Sequence, residues 1–359
     1  MTGVNIQIGT RDSNIELLRI VCMFLIVFQH CLVLCAFPEI WDVETMSPGI
    51  CVAGLLAGLT DVGVNCLCFI SGYYRIKLKI RSILNFYLVC AFYSLLGYLI
   101  HIYVDDAQIG MGLIRHSLLC ISQGNMWFVK CYAGLMLLSP LLNASIEHMS
   151  QKTYNGVLLL LTIFNVYFGY IWQDPMFNAN GYTIANFVYI YMIGGYISRY
   201  ANIEWLSKHR KSCLIIYVIA MLLWGARIGF IHYFSIREDR WIWGGYNNPF
   251  VLVGSICFFL YFLSIPRFYN KWINWFASGT FAVYLLHFGD YTSKWFVKCV
   301  GQIAELLQKQ GVLSATIVGM VITAIAIELA ICLIDKKRAV ITKPIVDKVC
   351  AIYSQTWRE

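Results

Sequence analysis

The sequence is poor in charged residues. Aspartate, glutamate, lysine and arginine make up 13% of its 359 residues, whereas a soluble domain carries roughly 25%. A chain that is 59% hydrophobic and holds so little charge cannot cover a surface that faces water. Most of its surface must therefore face lipid, and the composition predicts a polytopic membrane protein rather than a water-soluble enzyme.

Proline and paired-cysteine motifs are scarce as well. The seven prolines all lie in loops or near the ends of apolar runs. The 14 cysteines form no Cys-x-x-Cys motif and no Cys/His spacing typical of zinc. Most of them fall inside apolar runs, so we interpret them as small apolar helix residues. We therefore expect no metal site and no bound cofactor. The first apolar run is also too long for the h-region of a cleavable signal peptide.

Long apolar runs, by contrast, fill the chain. Ten of them approach the length of about 20 helical residues that crosses a bilayer core of roughly 30 Å. They are residues 15–36, 50–73, 82–104, 125–142, 156–172, 182–200, 212–234, 248–265, 273–291 and 312–334. We predict an all-α membrane protein of about ten transmembrane helices, with a single domain over residues 1–359. Residues 107–121 and 302–310 are expected to lie in the membrane interface.

Lysine and arginine are distributed unevenly between the predicted loops. Clusters follow the second, sixth and tenth spans, at residues 75–81, 199–211 and 336–358, whereas the opposite loops hold few basic residues, among them Arg237 and Arg240. The positive-inside rule then places both termini in the cytoplasm. The formal charge of +8 is thus explained by orientation in a membrane, and we expect no nucleic-acid partner. We expect the chain in the cell membrane, specifically a bacterial cytoplasmic membrane.

A few ionisable side chains lie inside the apolar runs, where each costs at least about 2.5–3.5 kcal/mol. They are Arg19, His30, Asp61, Lys130, Arg227, His287 and Glu328, of which Arg227 and Glu328 could pair with each other or with a bound substrate. Arg19 and His30 are eleven positions apart, which is about 20° more than three full turns. Both therefore leave the same helix face, about 16 Å apart along the axis. They cannot form an ion pair. Either this face lines something elongated, or His30 is a core imidazole and Arg19 extends to lipid phosphate.

Three of the other ionisable or boundary residues have two interpretations each. Asp61 either orients an imidazole or a basic side chain, or makes a polar contact between helices. Trp127 belongs either to an aromatic belt or to the wall of a site. Lys130, just below it, is expected to face a polar cavity. His287 either closes a site on the outer side or lies hydrated at the interface.

Four stretches of the sequence resemble the acyltransferase-3 family of polytopic membrane enzymes. They are NIELLRIVCMFLIVFQH, VGVNCLCFISGYYRIKLKIRS, MWFVKCYAGLMLLSPLL and SGTFAVYLLHF, which together extend from Asn14 to about Phe288. That family is marked by a basic residue, ten intervening positions and a histidine in the first span, which here are Arg19 and His30. The sequence departs from the family's Arg-x-x-Arg in the second loop, where it has Arg75, Lys77, Lys79 and Arg81 instead. It resembles the stand-alone form, without a hydrolase-like domain.

The resemblance implies an acyltransferase that uses cytoplasmic acyl-CoA, most simply acetyl-CoA, as co-substrate. The acceptor would be a hydroxyl of a cell-surface or exported glycan, or of a lipid-linked saccharide. His30 is expected to act as general base or as acyl-carrying nucleophile, and Arg19 to bind the donor or shape the charge of the site. Arg75, Lys77, Lys79 and Arg81 are expected to bind the donor phosphates, and Asp61, Trp127, Lys130 and His287 to line the site.

A transporter or flippase for a lipid-linked glycan is the alternative, because such proteins also carry buried charges and about ten spans. Transporters often show inverted repeats and helices broken by proline or glycine. No internal repeat is visible in this sequence, and the prolines lie outside the span interiors. These features favour the enzyme.

Overall fold

The computed structural model describes residues 11–42, 47–105, 108, 110–234 and 244–356, and this part of the chain is helical without a β-strand. Ala107, Arg237, Arg240 and Arg358 lie outside it. The helices are α1 (Ser13–His30), α2 (Pro48–Thr60), α3 (Gly63–Tyr74), α4 (Ile80–Asp105), α5 (Met111–Leu118), α6 (Trp127–His148), α7 (Gln151–Thr162), α8 (Ile184–Tyr200), α9 (Ile203–Lys208), α10 (Arg210–Tyr233), α11 (Pro249–Leu263), α12 (Lys271–Ala277), α13 (Thr280–His287), α14 (Ser293–Gln308) and α15 (Leu313–Thr356). Wider π-helical turns extend α1 through Cys31–Ala36 and α7 through Ile163–Ile171.

Seven helical segments of the described residues are long and apolar enough to cross a membrane. They are Ser13–Ala36, Pro48–Tyr74, Ile80–Asp105, Trp127–His148, Gln151–Ile171, Arg210–Tyr233 and Leu313–Ser354. These segments confirm the predicted all-α polytopic membrane protein. The other three of the ten predicted spans do not form a helical segment of this length: α8 has 17 residues, α11 has 15, and the ninth is divided between α12 and α13.

Two of the predicted continuous spans are broken in the structure. The second is interrupted at Asp61 and Val62, between α2 and α3. The ninth is interrupted at Ser278 and Gly279, where a Cβ on the glycine would lie 3.2 Å from the Cα of Cys332 on α15. Serine and glycine are weaker helix formers than alanine, so the chain can leave the helix here and pack closely on its neighbour.

The two predicted interfacial segments are helices with different bounds. The first, expected at residues 107–121, is the short α5. The second, expected at residues 302–310, is only the last part of α14, which begins at Ser293. Apolar and polar residues lie on opposite faces of α14, and this pattern is typical of a helix in the plane of the membrane surface.

Glycines let several helices approach backbone to backbone. A Cβ at Gly72 of α3 would overlap the carbonyl oxygen of Tyr191 on α8, and a Cβ at Gly194 of α8 would lie 2.5 Å from the carbonyl oxygen of Phe69. Lipid does not drive helices together as water does, so packing between small residues carries much of the association energy. The pair α3 and α8 thereby forms a closely packed part of the bundle.

Polar contacts show which loops share an end of the bundle. One end carries the pairs Asp12–Arg267 (3.7 Å), Tyr74–Asp12 (3.0 Å) and Arg81–Asp347 (2.7 Å), and we call it the basic end. The opposite end carries Asn125–Asp290 (2.9 Å) and His116–Tyr291 (2.9 Å). Loops that the predicted orientation places on the cytoplasmic side therefore meet at one end. That this end faces the cytoplasm stays a prediction.

Candidate active site

His30 at the end of α1 is hydrogen-bonded to His287 at the end of α13. Nδ1 of His30 lies 3.0 Å from Nε2 of His287, and Nδ1 of His287 lies 2.6 Å from the carbonyl oxygen of Val283. A carbonyl only accepts, so Nδ1 of His287 donates and its Nε2 accepts the proton of His30. This network leaves Nε2 of His30 with a lone pair.

His287 is buried, with 3% of its surface exposed. The interpretation of a hydrated interfacial histidine is therefore wrong. The ninth span is broken at Gly279, and the short α13 that follows carries His287 against α1. The side chain lines neither of the cavities described below. Its contact with the site is the hydrogen bond to His30.

A cavity of about 580 Å³ extends from the basic end to His30, and we call it the inner cavity. Its basic and polar lining residues include Arg11, Arg19, Lys77, Ser82 and Asn85. Arg19 and His30 thus lie on the same cavity, as their spacing predicts for one helix face. Glu16 lies 3.6 Å from Arg19 and 3.7 Å from Arg11, and it fixes the two guanidinium groups near each other.

The structure brings one of the four predicted phosphate-binding residues to the inner cavity, namely Lys77. Arg75 is half-buried, with a φ of 59° at the end of α3. Lys79 is exposed, and Arg81 forms an ion pair of 2.7 Å with Asp347 on α15. The four residues therefore do not converge on one ligand.

A second cavity of about 340 Å³ lies on the other side of His30, and we call it the outer cavity. Asp61 lines it from the break between α2 and α3 and accepts hydrogen bonds from Nε2 of Gln29 and from Nε1 of Trp224 (2.5 Å). The guanidinium of Arg227 lies 3.4 Å from the centre of the Trp224 ring and interacts electrostatically with Asp61. Gln29, Trp224 and Arg227 therefore surround the carboxyl group of Asp61, which lines this cavity.

Three aromatic side chains separate the two cavities. Trp127, Tyr246 and Phe288 line both of them, as His30 does, and we call these three the aromatic partition. The ring of Phe288 is centred 4.4 Å from that of His30, and Trp127 stacks on Tyr246 with centres 5.4 Å apart. Burial raises the pKa of Tyr246, whose backbone carbonyl accepts a hydrogen bond from Asn65 (2.8 Å). Its phenol therefore stays protonated at neutral pH.

Lys130 does not belong to this site. Its side chain is exposed and lines neither cavity, so the expectation that it faces a polar cavity is wrong. The inner cavity is lined by Phe128, and a residue two positions further along lies about 200° around the helix, on the opposite face. Glu328 is buried away from both cavities, whereas Arg227 lies with Asp61 in the outer one.

Sequence reasoning missed several residues of the site. Gln29, Trp224, Tyr246 and Phe288 were not predicted, although Gln29 is the one polar residue between Arg19 and His30. The aromatic residues could not be recognised as site residues from the sequence, because aromatic side chains are common at membrane boundaries.

Among the described residues, no group of three His, Cys, Asp or Glu side chains has a geometry that would hold a metal ion.

Comparison with protein families gives one match over most of the chain. The family model Acyl_transf_3, described as an acyltransferase domain, matches residues 12–332. The matched segment contains the whole of α1, both broken spans and His287. Comparisons with curated proteins and with solved structures returned no match. The chain therefore belongs to the acyltransferase-3 family of multi-pass membrane acyltransferases.

Proposed function

We propose that this acyltransferase moves an acyl group, most simply acetyl, from cytoplasmic acyl-CoA to a hydroxyl of a cell-surface or exported glycan. The observation that carries the proposal is the position of His30. It lies where the inner and outer cavities meet, and its Nε2 has a free lone pair. Two substrates that enter from opposite sides would meet at this nitrogen. In a bacterial cytoplasmic membrane, the protein would have access to both substrates.

The inner cavity suits the donor. Arg11, Arg19 and Lys77 lie at its mouth, where guanidinium and ammonium groups match the charge of the CoA phosphates. Arg19 and His30 are about 16 Å apart along α1, a distance that an extended pantetheine arm can bridge. The thioester would then reach His30 while the nucleotide stays at the basic end.

The outer cavity suits a sugar. Asp61 can accept a hydrogen bond from a sugar hydroxyl, and Gln29 beside it holds the carboxylate in place. The ring faces of Trp127 and Tyr246 offer flat apolar surfaces, against which the C–H face of a pyranose can pack. These contacts would place one hydroxyl of the acceptor near Nε2 of His30.

The chemistry then needs one base. As the acceptor oxygen attacks the thioester carbonyl, its proton passes to Nε2 of His30, and the C–O bond forms. The tetrahedral intermediate collapses, the C–S bond breaks, and the proton moves from Nε2 to the leaving sulfur, so that an ester and free CoA result. Through its hydrogen bond, His287 holds the ring in the tautomer that this step requires.

The test uses purified protein in lipid nanodiscs with [¹⁴C]acetyl-CoA and a panel of methyl hexosides as acceptor probes. A radiolabel is preferable to thiol reagents, because the chain carries 14 cysteines of its own. We expect a labelled, alkali-labile ester from the wild type and a rate about 10²–10⁴-fold lower in His30→Ala. Lys130→Ala is the matched control and should retain the wild-type rate.

Two outcomes would contradict the proposal. If the wild type transfers label to no hydroxyl probe, acetyl-CoA and these sugars are not its substrates. If His30→Ala transfers label as fast as the wild type, His30 takes no part in the chemistry. If label is recovered on the His30 peptide when the acceptor is omitted, the acyl group passes through an acyl-imidazole at the same nitrogen rather than directly to the acceptor.

A further inference from the structure

We propose that the aromatic partition sets the length of the acyl group that this protein transfers, with Phe288 as the main specificity-determining residue. The inference rests on the proposed function, because it concerns the acyl group of the donor at His30. It predicts that acetyl is transferred efficiently and that each added methylene lowers the rate.

The geometry around His30 carries the argument. Trp127, Tyr246 and Phe288 are, with His30, the side chains that line both cavities. An acyl carbonyl in reach of Nε2 must therefore lie against these rings. The Phe288 ring is centred 4.4 Å from the imidazole, which is ring-to-ring packing without space for an alkyl chain between them.

The partition is held from several sides, so it cannot easily widen for a longer chain. Phe288 directly follows His287, whose ring is hydrogen-bonded to His30 and to the backbone carbonyl of Val283. The backbone carbonyl of Tyr246 accepts a hydrogen bond from Asn65. Trp127 packs edge to face on Tyr182, with ring centres 4.7 Å apart. Shifting Trp127 would disturb its stacking on Tyr246, and shifting Phe288 would disturb its packing on His30.

The inner cavity also has aromatic side chains in its wall that do not border the outer cavity. Phe281 forms part of the wall of this 580 Å³ cavity, where its ring stacks on Phe86 with ring centres 5.7 Å apart. Phe281 lines the inner cavity and not the outer one. A truncation at Phe281 therefore enlarges the donor cavity without opening the partition, and it supplies a matched control.

The experiment compares kcat/KM for acetyl-, propionyl-, butyryl- and hexanoyl-CoA in the wild type, Phe288→Ala and Phe281→Ala. One methylene in a tight apolar pocket changes kcat/KM by about 10- to 200-fold. We expect the wild type to favour acetyl by at least about tenfold over butyryl. Phe288→Ala should raise the butyryl-to-acetyl ratio by about tenfold or more, and Phe281→Ala should leave it unchanged.

An unchanged ratio in Phe288→Ala, an equal shift in Phe281→Ala, or a wild type that uses hexanoyl-CoA as well as acetyl-CoA would overturn the inference and leave the proposed function intact. A wild type that transfers from no acyl-CoA would overturn the proposed function and the inference together. If Phe288→Ala does not fold, Phe288→Leu replaces it, with a smaller shift in the same direction expected and no shift overturning the inference.

Discussion

At the scale of single residues, the helix period is what made the site partly predictable. Arg19 and His30 share a face because the geometry of α1 fixes their directions, and both line the inner cavity. The partner of His30 could not be predicted in the same way. His287 lies 257 positions further along the chain, and only the packing of α13 on α1 brings the rings together.

Replacement of His287 should show whether this residue positions the His30 ring or helps to bind acetyl-CoA. In His287→Ala, Nδ1 of His30 loses its acceptor, so we expect kcat to fall by about 10- to 10²-fold, less than in His30→Ala. The KM for acetyl-CoA should stay near its wild-type value, because His287 lines neither cavity. Steady-state kinetics with labelled acetyl-CoA gives both constants.

His287→Gln carries a carbonyl oxygen that can accept from His30, and it should recover part of the lost rate. His148→Ala, at an exposed position of α6, is the control and should not differ from the wild type. Equal losses in His287→Ala and His287→Gln, or a rise in KM without a fall in kcat, would contradict the positioning role.

Replacement of Arg19 should affect donor binding first. A hydrogen bond to a charged group contributes about 1.5–3 kcal/mol, so Arg19→Ala should raise the KM for acetyl-CoA by about 10- to 150-fold. Arg19→Lys should recover part of this loss, because it keeps the charge without the fork of donors. Lys79→Ala removes an exposed lysine outside the inner cavity and is the control. If Arg19→Ala and Lys79→Ala changed the KM for acetyl-CoA by similar factors, the residues that line the inner cavity would not be the ones that bind the donor phosphates.

At the scale of helices, apolar runs predicted where segments lie but not where they break. Residues 50–73 are strongly apolar on both sides of Asp61. Hydropathy averaged over the length of a span therefore does not detect the interruption. The structure explains why a carboxylate is tolerated there. Asp61 is the C-cap of α2, and its oxygens accept from Gln29 and Trp224. Breaks in spanning helices are tolerated where they line a cavity, as this one does.

The close packing of α3 on α8 can be tested at Gly72. A side chain there would meet the backbone of Tyr191, so Gly72→Val should destabilise the bundle by about 1–3 kcal/mol. Thermal unfolding in detergent should show a lower midpoint than the wild type. Gly156 of α7 has no neighbour within 4 Å of an added Cβ, so Gly156→Ala should keep or slightly raise the midpoint. An unchanged midpoint in Gly72→Val would mean that these two helices are not packed backbone to backbone.

At the scale of the whole molecule, composition and loop charge predicted the membrane class and the grouping of the loops. Two loops and the two terminal segments that are assigned to one side meet at the basic end, through Arg81, Arg267, Asp12 and Asp347. The two cavities could not be predicted from the sequence. They depend on how α1, α10 and the two broken spans pack around His30, and no single segment encodes that arrangement.

The orientation of the molecule can be measured with a membrane-impermeant maleimide. Cys299 is exposed on α14 and should be labelled from outside, because it belongs to the end opposite the basic end. Lys79→Cys, in a chain with Cys299→Ser, should be labelled only in inside-out vesicles. If Lys79→Cys were labelled from outside, both the predicted orientation and the cytoplasmic route of the donor would be wrong.

The most direct measurement is a structure with a bound acetyl-CoA analogue in which a methylene replaces the thioester sulfur. The account predicts that its carbonyl carbon faces Nε2 of His30 with room for one acceptor oxygen between them. That oxygen would lie about 3–3.5 Å from the carbon and within hydrogen-bond distance, about 2.6–3.2 Å, of Nε2. The phosphates of the analogue should lie at Arg19 and Lys77, at the mouth of the inner cavity. An analogue bound on another face of the bundle, with its carbonyl out of reach of His30, would contradict the account.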